Sequence, residues 1–213
     1  MAENFGENYF DKNYFYGNKK SNYINYDNLN TSKLFGSVIH FIEKQKLKGR
    51  FLDIGCAFGL LLKEVSPFFS ELYGCDISKF AIKEAKQKIP NANFKLVNLE
   101  KSLPYADESF DCITVLDVLE HTKNFELNFK KIVKKLKRGG YLIVSVPIDK
   151  WPRRLFSFLD KDKSHISILK ESNLEHIIKK NKLEIISKNY FCPFPIFYKI
   201  PHIPAAIELI LRK

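Results

Sequence analysis

The chain has 213 residues, and 45% of them are hydrophobic, so it can bury a sizeable core without a disulfide or metal staple. Its four cysteines are scattered, with no CxxC pair and no metal-ligand spacing. This pattern argues against a disulfide framework and a zinc site, and it favours a reducing, cytoplasmic location. The net charge of +11 is compatible with an anionic partner, although the solvated outer face of a lysine-rich helix is the simpler explanation.

Neither end of the chain has the pattern of a targeting or membrane-spanning segment. Residues 1–26 are polar and aromatic rather than a charged start followed by an apolar run. Residues 190–211 are apolar, but four prolines divide them into pieces much shorter than the roughly 20 residues of a spanning helix. We therefore predict no transmembrane segment, and contact with a membrane surface stays an open alternative.

The first two thirds of the chain alternate between helical and strand patterns. Apolar residues at helical spacing predict a helix over residues 32–46 with Ser32 as its cap, and residues 50–54 form a short buried strand. The alternation continues with helix 60–65, strand 71–75, helix 77–88 capped by Ser78, strands 93–97 and 110–116, helix 125–137 stopped by Gly139-Gly140, and strand 141–146. Such alternation predicts right-handed crossovers and a parallel sheet covered on both faces.

The last third is less regular. It is expected to contain a loop over residues 148–165, a helix near 169–180 and a strand over 183–190, followed by a proline-rich tail. Residues 207–211 fit a closing strand, and they fit a short helix equally well. Taken together, the elements predict one α/β domain with a doubly wound, mostly parallel seven-stranded sheet and helices on both faces.

The strongest local motif is a glycine turn, Asp53-Ile54-Gly55-Cys56-Ala57-Phe58-Gly59, at the end of the first strand. Ligands of open parallel sheets lie beyond the carboxyl ends of the strands, and glycines there let backbone N–H groups approach closely. The dinucleotide spacing G-x-G-x-x-G fails at Ala57 and Leu60, and no Gly-Lys-Ser or Gly-Lys-Thr follows. The turn therefore indicates a ligand edge without a phosphate-binding pattern.

An acidic residue, Asp76, ends the second strand 21 residues beyond Gly55. A carboxylate at this place can accept two hydrogen bonds from a ribose diol. The alternative is that Asp76 caps the next helix, although Ser78 is available for that role. Asp53 has a similar alternative, since it could orient the glycine turn rather than bind the ligand.

Several stretches in order resemble the class I methyltransferases, specifically the small-molecule branch exemplified by ubiquinone and menaquinone biosynthesis methyltransferases. The matching stretches are residues 52–59, Gly74-Cys75-Asp76-Ile77-Ser78, residues 103–111 (LPYADESFD), Leu116-Asp117-Val118-Leu119-Glu120-His121, and residues 136–142 (LKRGGYL). Each is common alone, but their joint occurrence in this order is specific. The resemblance covers about half the chain and implies a Rossmann-like fold that uses S-adenosyl-L-methionine.

The resemblance also implies roles for residues at the ligand edge. The residues expected to contact the cofactor are Asp53, Gly55, Cys56, Ala57 and Gly59 beside the methionine part, Asp76 and Ile77 beside the ribose, Asn98, Leu99 and Glu100 beside the adenine, and Asp117 facing cofactor or acceptor. The chain departs from the family at Ala57, where glycine is common, at Asn98, where aspartate is common, and at Arg138, where proline is common. Asn98 can still accept a hydrogen bond from the adenine amine, but without charge.

Two histidines are candidate general bases, because an imidazole titrates near neutrality and can take a hydroxyl proton. His121 follows the fourth strand, and His165 lies between the fifth strand and the next helix. The alternative for the Glu120-His121 pair is that it shapes the loop by hydrogen bonding, and the alternative for His165 is a loop histidine bonded to backbone. We predict no metal site.

The implied reaction is direct in-line transfer of a methyl group to a small-molecule or lipid-like acceptor. The expected division is residues 1–48 as N-terminal arm and helix, 49–147 as cofactor-binding core, and 148–213 as acceptor side. The arm carries aromatics that fit either a lid and acceptor wall or ordinary packing on the sheet: Tyr9, Phe10, Tyr14, Phe15, Tyr16, Tyr23 and Tyr26. Residues 151–159 mix aromatics and cations and suit a membrane surface.

Two other functions remain as alternatives. An RNA methyltransferase would fit the positive charge, but the chain lacks an Asn/Asp-Pro-Pro-Tyr type of motif and a recognisable RNA-binding module, so nucleic acid is disfavoured. A non-catalytic interaction protein would fit because a fold does not determine a function. The sequence leaves the acceptor and the oligomeric state undetermined.

Overall fold

The computed structural model describes residues 5–17, 20–21, 23–156, 161–194 and 198–213. The helices are α1 (Lys12–Tyr16), α2 (Thr31–Lys44), α3 (Leu60–Val65), α4 (Lys79–Lys88), α5 (Phe125–Lys135), α6 (Trp151–Phe156) and α7 (Glu171–Lys180), with single 3₁₀ turns at Tyr26–Asn28 and Leu119–His121. The strands are β1 (Arg50–Ile54), β2 (Glu71–Asp76), β3 (Asn93–Leu96), β4 (Phe110–Leu116), β5 (Leu136–Pro147), β6 (Glu184–Phe194), β7 (Tyr198–Pro201) and β8 (Ala206–Arg212).

All eight strands belong to one sheet in the order β3-β2-β1-β4-β5-β8-β6-β7. The five strands from β3 to β5 pair in parallel, whereas β8 is antiparallel to both β5 and β6. The chain moves outward from β1 in both directions, so the order reverses between β1 and β4, where ligands of such sheets bind. The predicted doubly wound, mostly parallel fold is confirmed.

The sheet has eight strands, one more than the seven predicted from the sequence. Strand β6 extends to Phe194 and pairs antiparallel with β7, with Phe191 opposite Pro201 and Cys192 opposite Ile200. The prolines of this region suggested a broken tail because proline lacks the N–H that a ladder needs. Strand β7 is the outermost strand of the sheet, and an edge strand tolerates proline on its unpaired side.

Several predicted boundaries also need correction. Helix α2 is capped by Asn30, whose side-chain oxygen accepts from the Lys33 N–H at 3.0 Å, so Ser32 lies inside the helix. Helix α5 ends at Lys135, and the Gly139-Gly140 pair lies within β5 instead of stopping the helix. The predicted loop over residues 148–165 contains α6, while residues 157–160 lie outside the described part of the chain.

The ambiguous segment near the C-terminus is a strand. Residues 206–211 of β8 are all buried, because β8 lies between β5 and β6 inside the sheet. Burial on both faces explains why its sequence lacks the alternation of a half-exposed strand.

Helices cover both faces of the sheet, as predicted. Buried side chains of α2, α3 and α4 pack in one apolar cluster, and those of α5 and α7 pack in the other. Among the residues described, no helix combines the length and the apolar character that crossing a membrane requires. These two layers hold the strand ends that form the site.

A third apolar cluster joins the N-terminal arm to the glycine turn. Phe15 and Tyr26 of the arm lie against Phe58, with ring centroids 4.8 and 5.0 Å apart, and the Phe58 side chain is fully buried. Ser78 at the start of α4 donates its hydroxyl to the Phe10 carbonyl at 2.5 Å. The arm is therefore packed onto the ligand edge of the sheet.

Candidate functional site

A cavity of about 590 Å³ lies beyond the carboxyl ends of β1, β2 and β4. One side, which we call the strand-end wall, consists of Gly55, Ala57, Asp76, Ile77, Asn98, Leu99, Glu100 and Asp117. A second group of lining residues, which we call the aromatic cap, consists of Phe10, Tyr14, Phe15, Tyr23 and Tyr26. His121 also lines the cavity. The fold thus brings together most of the predicted cofactor residues, one predicted base and five of the seven aromatics of the arm.

The glycine turn has a backbone that bends through the left-handed region three times. Gly55, Ala57 and Gly59 have φ angles of 75°, 44° and 76°. Glycine adopts this region freely, whereas an alanine there is strained by roughly 1 kcal/mol. The Ala57 N–H donates to Asp76 Oδ2 at 2.9 Å, and this charge-assisted bond helps to hold the strained residue.

Asp76 organises the two adjoining strand ends. Its second carboxylate oxygen accepts from the Ser78 N–H at 2.8 Å, while the Ser78 hydroxyl accepts from the Ala81 N–H at 3.1 Å and caps α4. Burial raises the pKa of Asp76 above its ordinary value, and the backbone N–H bonds oppose that rise. A carboxylate offers about four acceptor positions, so two positions suffice for the loop and two more can receive a diol.

Three of the predicted cofactor residues lie behind the wall rather than on the cavity. Asp53 is buried and accepts from the Thr114 hydroxyl at 2.7 Å, and burial raises its pKa to about 7. A Cβ on Gly59 would lie 2.7 Å from Ile89, and Cys56 is buried beside the turn. None of the three lines the cavity, and their contact with a ligand stays a prediction. The sequence alone does not distinguish the residues of this turn that line the cavity from those that lie behind it.

The remaining wall residues come from the loops after β3 and β4. Asn98 Oδ1 accepts from the Glu100 N–H at 2.9 Å, which bends the loop at the cavity. Asp117 has a φ of 54°, and its carboxylate accepts from the Ser145 hydroxyl at 2.9 Å. Hydrogen bonds to nearby residues therefore orient both side chains.

The two candidate bases meet although they are far apart in sequence. The Glu120 carbonyl accepts from the Ile166 and Ser167 N–H groups at 2.9 Å each, which joins the 3₁₀ turn to the segment after residue 161. As a result the His121 and His165 rings lie 4.8 Å apart between centroids. His121 lines the cavity and His165 does not. The Nδ1 atom of His121 lies 2.7 Å from the Ser164 hydroxyl oxygen.

Glu120 forms a third member of this group. Its side chain is 1% exposed, and Oε2 has no hydrogen-bond partner among the residues described. Burial, with the nearby Asp117 carboxylate, raises the pKa of Glu120 to about 8. Ligand atoms of Glu120, His121 and His165 lie within 4.8 Å of one another, which is a donor set that suits a divalent transition metal. The absence of a metal site was expected from sequence spacing alone, and it stays a prediction.

Sequence reasoning missed two buried polar residues of the site, Asp162 and Ser164. Their side chains are 7% and 0% exposed, although they lie in a lysine-rich segment that reads as an exposed loop. Tyr14 donates its hydroxyl to Asp162 at 2.6 Å across 148 residues of sequence. No local sequence pattern predicts a contact between residues so far apart along the chain.

The fold and the cavity define a Rossmann-like protein with a cavity at the strand ends. The model of a family described as a methyltransferase domain matches residues 27–188, so the chain belongs to this methyltransferase family. The predicted enzyme class, S-adenosyl-L-methionine-dependent methyltransferase, and its cofactor are confirmed at the level of the family.

Individual proteins agree with this assignment. A ubiquinone biosynthesis O-methyltransferase of Mesorhizobium japonicum is 31% identical over 99 residues, which cover 45% of this chain and 40% of that protein. The chain thus spans well under two thirds of the relative it matches. An S-adenosylmethionine-dependent methyltransferase from Clostridium acetobutylicum has a TM-score of 0.67 at 16% identity, covering 87% of this chain and 93% of that one. A magnesium protoporphyrin IX methyltransferase from Synechocystis with bound SAH has a TM-score of 0.65 at 20% identity, covering 84% and 81%.

The residues present fit the cofactor of the family. The cavity is of the size that holds a drug-sized ligand, which ranges over about 300–1,000 Å³. A left-handed turn exposes backbone at one side, and a buried carboxylate with acceptor capacity lies beside it. These are the groups that a nucleoside with a ribose diol requires.

Proposed function

We propose that this chain transfers a methyl group from S-adenosyl-L-methionine to a hydroxyl group of a small aromatic or lipid-like acceptor. The observation that carries the proposal is that two chemically different groups of residues line one cavity. The strand-end wall offers backbone and carboxylate groups, whereas the aromatic cap offers apolar ring surface with His121 at the same cavity. One side suits a polar nucleoside and the other suits an apolar acceptor.

Asp76 would hold the ribose diol, and Gly55 and Ala57 would lie against the methionine part of the cofactor. Asn98 to Glu100 would face the adenine, since these residues follow β3 and line the cavity beyond Asp76 in the chain. When bound, the cofactor supplies a methyl group made electrophilic by its sulfonium. The chain then needs only to place the acceptor oxygen in line and to keep water out.

The aromatic cap would bind the acceptor. Phe10 lies edge-on to His121 with ring centroids 5.7 Å apart, and to Tyr14 at 4.9 Å. These rings present apolar surface at the cavity against which another aromatic ring can pack. The names of the Mesorhizobium and related Coxiella burnetii proteins, ubiquinone biosynthesis O-methyltransferases, support a hydroxyl acceptor.

His121 would act as the general base. It is the histidine on the cavity, and a neutral imidazole near a bound hydroxyl can take its proton as the new bond to carbon forms. His165 would support it from behind, since its ring is next to His121 but off the cavity.

The test is a methyl-transfer assay on the purified chain with S-adenosyl-L-methionine and 3,4-dihydroxybenzoate, a soluble catechol. We expect S-adenosyl-homocysteine and a singly O-methylated product by mass spectrometry. His121→Ala should lower the rate by roughly 100-fold, within the range of general-base removal. His176→Ala, which removes an exposed histidine of α7 outside the cavity, is the matched control and should leave the rate unchanged.

Other results would redirect the proposal. A catechol bearing a prenyl chain, presented in vesicles, distinguishes a lipid-like acceptor from a soluble one. If calorimetry shows no binding of S-adenosyl-homocysteine, a non-catalytic role replaces this one. Methylation of RNA with no methylation of either catechol would establish the nucleic-acid alternative.

A further inference from the structure

The buried carboxylate of Asp162 receives several hydrogen bonds from different segments. Tyr14 donates its hydroxyl to Oδ2 at 2.6 Å, and the Tyr9 hydroxyl proton is shared between Oδ1 at 3.3 Å and the Lys20 carbonyl at 3.1 Å. Ser164 donates both its N–H, at 2.9 Å, and its hydroxyl, at 2.5 Å, to Oδ1. All of these partners are donors, so the carboxylate acts only as an acceptor.

This arrangement determines which nitrogen of His121 carries the proton. A serine hydroxyl has one proton, and the Ser164 proton points to Asp162. The Ser164 oxygen can therefore meet His121 Nδ1 at 2.7 Å only as an acceptor, so Nδ1 must be the donor. In the neutral ring the lone pair then lies on Nε2.

The same carboxylate also reaches the aromatic cap. Tyr14 lines the cavity, and its hydroxyl is bonded to the other carboxylate oxygen. Burial and the Asp162 charge raise the pKa of Tyr14 well above its ordinary value, so the tyrosine stays a donor. One buried side chain is thus connected to the ring of His121 and to the cap.

We propose that Asp162 and Ser164 are positioning residues for the methyl transfer. Through Ser164, Asp162 holds His121 in the Nδ1–H tautomer with the basic lone pair on Nε2, and through Tyr14 it anchors the aromatic cap beside that ring. The catalytic part of this inference rests on the proposed hydroxyl acceptor. The tautomer is a property of the protein alone, so it can be tested without turnover.

The first experiment is nitrogen-15 NMR on the full chain labelled at histidine, recorded where His121 is neutral. The His121 signal is assigned by its loss in His121→Gln. We expect the Nδ1–H tautomer in the wild type and a shift toward the Nε2–H tautomer in Ser164→Ala. Ser109→Ala removes another buried hydroxyl, bonded to the Ala106 carbonyl away from the cavity, and should leave the tautomer unchanged.

The second experiment uses the catechol assay to test separately the two connections of Asp162, which run to His121 through Ser164 and to the aromatic cap through Tyr14. Ser164→Ala should lower kcat about 10- to 100-fold with KM changed less than about threefold, because it disturbs only the base. Tyr14→Phe should raise KM about three- to tenfold and leave the His121 tautomer as in the wild type, because it loosens only the cap. Ser109→Ala should change neither parameter.

The outcomes are distinct. An Nε2–H tautomer in the wild type, or no change of tautomer in Ser164→Ala, would overturn the inference whatever the activity. If Ser164→Ala misfolds, the wild-type tautomer and the Tyr14→Phe result still decide it. If the tautomer is as expected but neither catechol is methylated, the proposed function fails while the hydrogen-bond arrangement stands.

Discussion

The strand-end wall and the aromatic cap enclose one cavity but are built by different forces. The wall is a set of backbone turns whose φ angles and N–H groups are held by the parallel strands, as at Gly55 and Ala57. The cap is a set of side chains on the N-terminal arm, joined to the rest by ring contacts and by hydrogen bonds to Asp162. We therefore expect the wall to tolerate few substitutions, and under the proposed function substitutions in the cap should affect the acceptor more than the cofactor.

The largest effect is expected from Asp76→Ala, which tests whether the wall binds the nucleoside. The change removes the acceptor of two loop N–H groups and of the proposed ribose contact. Each charge-assisted bond contributes about 1.5–3 kcal/mol, so the affinity for S-adenosyl-homocysteine should fall about 100-fold or more in calorimetry. Asp107→Ala removes an exposed acid bonded to Lys135 and should have no effect. Unchanged affinity in Asp76→Ala would show that the wall is not the binding surface.

Gly55→Ala tests the rigidity of the wall. The added Cβ would lie 2.2 Å from Val118 Cγ2, and the backbone has a φ of 75°. We expect a loss of about 2–3 kcal/mol in the free energy of unfolding, measured with urea. Gly36→Ala, in the interior of α2 with nothing near the added atom, should instead gain about 0.5–1 kcal/mol. A Gly55→Ala variant as stable as the wild type would contradict the difference in tolerance between wall and cap.

The pH dependence of stability tests the layer behind the wall. Burial raises the pKa of Asp53 to about 7, well above the value in an unfolded chain. The folded state therefore binds a proton that the unfolded state releases, and the stability from Asp53 is full below about pH 4 and lost as the pH rises toward 7. Asp53→Asn should flatten this part of the stability curve by roughly 1–2 kcal/mol in urea titrations between pH 4.5 and 7.5. A curve with the same slope in both proteins would refute the assignment.

The smallest effect is expected from Phe10→Ala, which tests the independence of the cap. Loss of the ring beside His121 should raise KM for 3,4-dihydroxybenzoate about tenfold, while the affinity for S-adenosyl-homocysteine changes less than about twofold. A loss of cofactor affinity as large as that of Asp76→Ala would mean that cap and wall are one surface.

The wall could be predicted because its residues are ordered by the strands that precede them. Asp76 ends β2 and Asp117 directly follows β4, and parallel strands bring their carboxyl ends to one edge. The strand β7 was not predicted because prolines usually argue against a strand. At the edge of a sheet a strand tolerates proline, and Pro201 lies in β7 without disrupting the ladder. The position of Asp53 behind the wall could not be predicted, because it involves a hydrogen bond from Thr114 on the neighbouring strand.

The local patterns of hydrophobic residues, glycines and strand-end acids predicted the fold class and the edge of the sheet where the cavity lies, and the resemblance of the ordered motifs indicated the methyltransferase family. These properties depend on short-range periodicity and on a topology that few alternatives satisfy. The pairing of His121 with His165, the burial of Asp162 and the placing of Tyr14 over the cavity were decided only by the tertiary structure. Side chains separated by 44 to 148 residues meet because packed layers bring them together, and no spacing along a chain records such a contact.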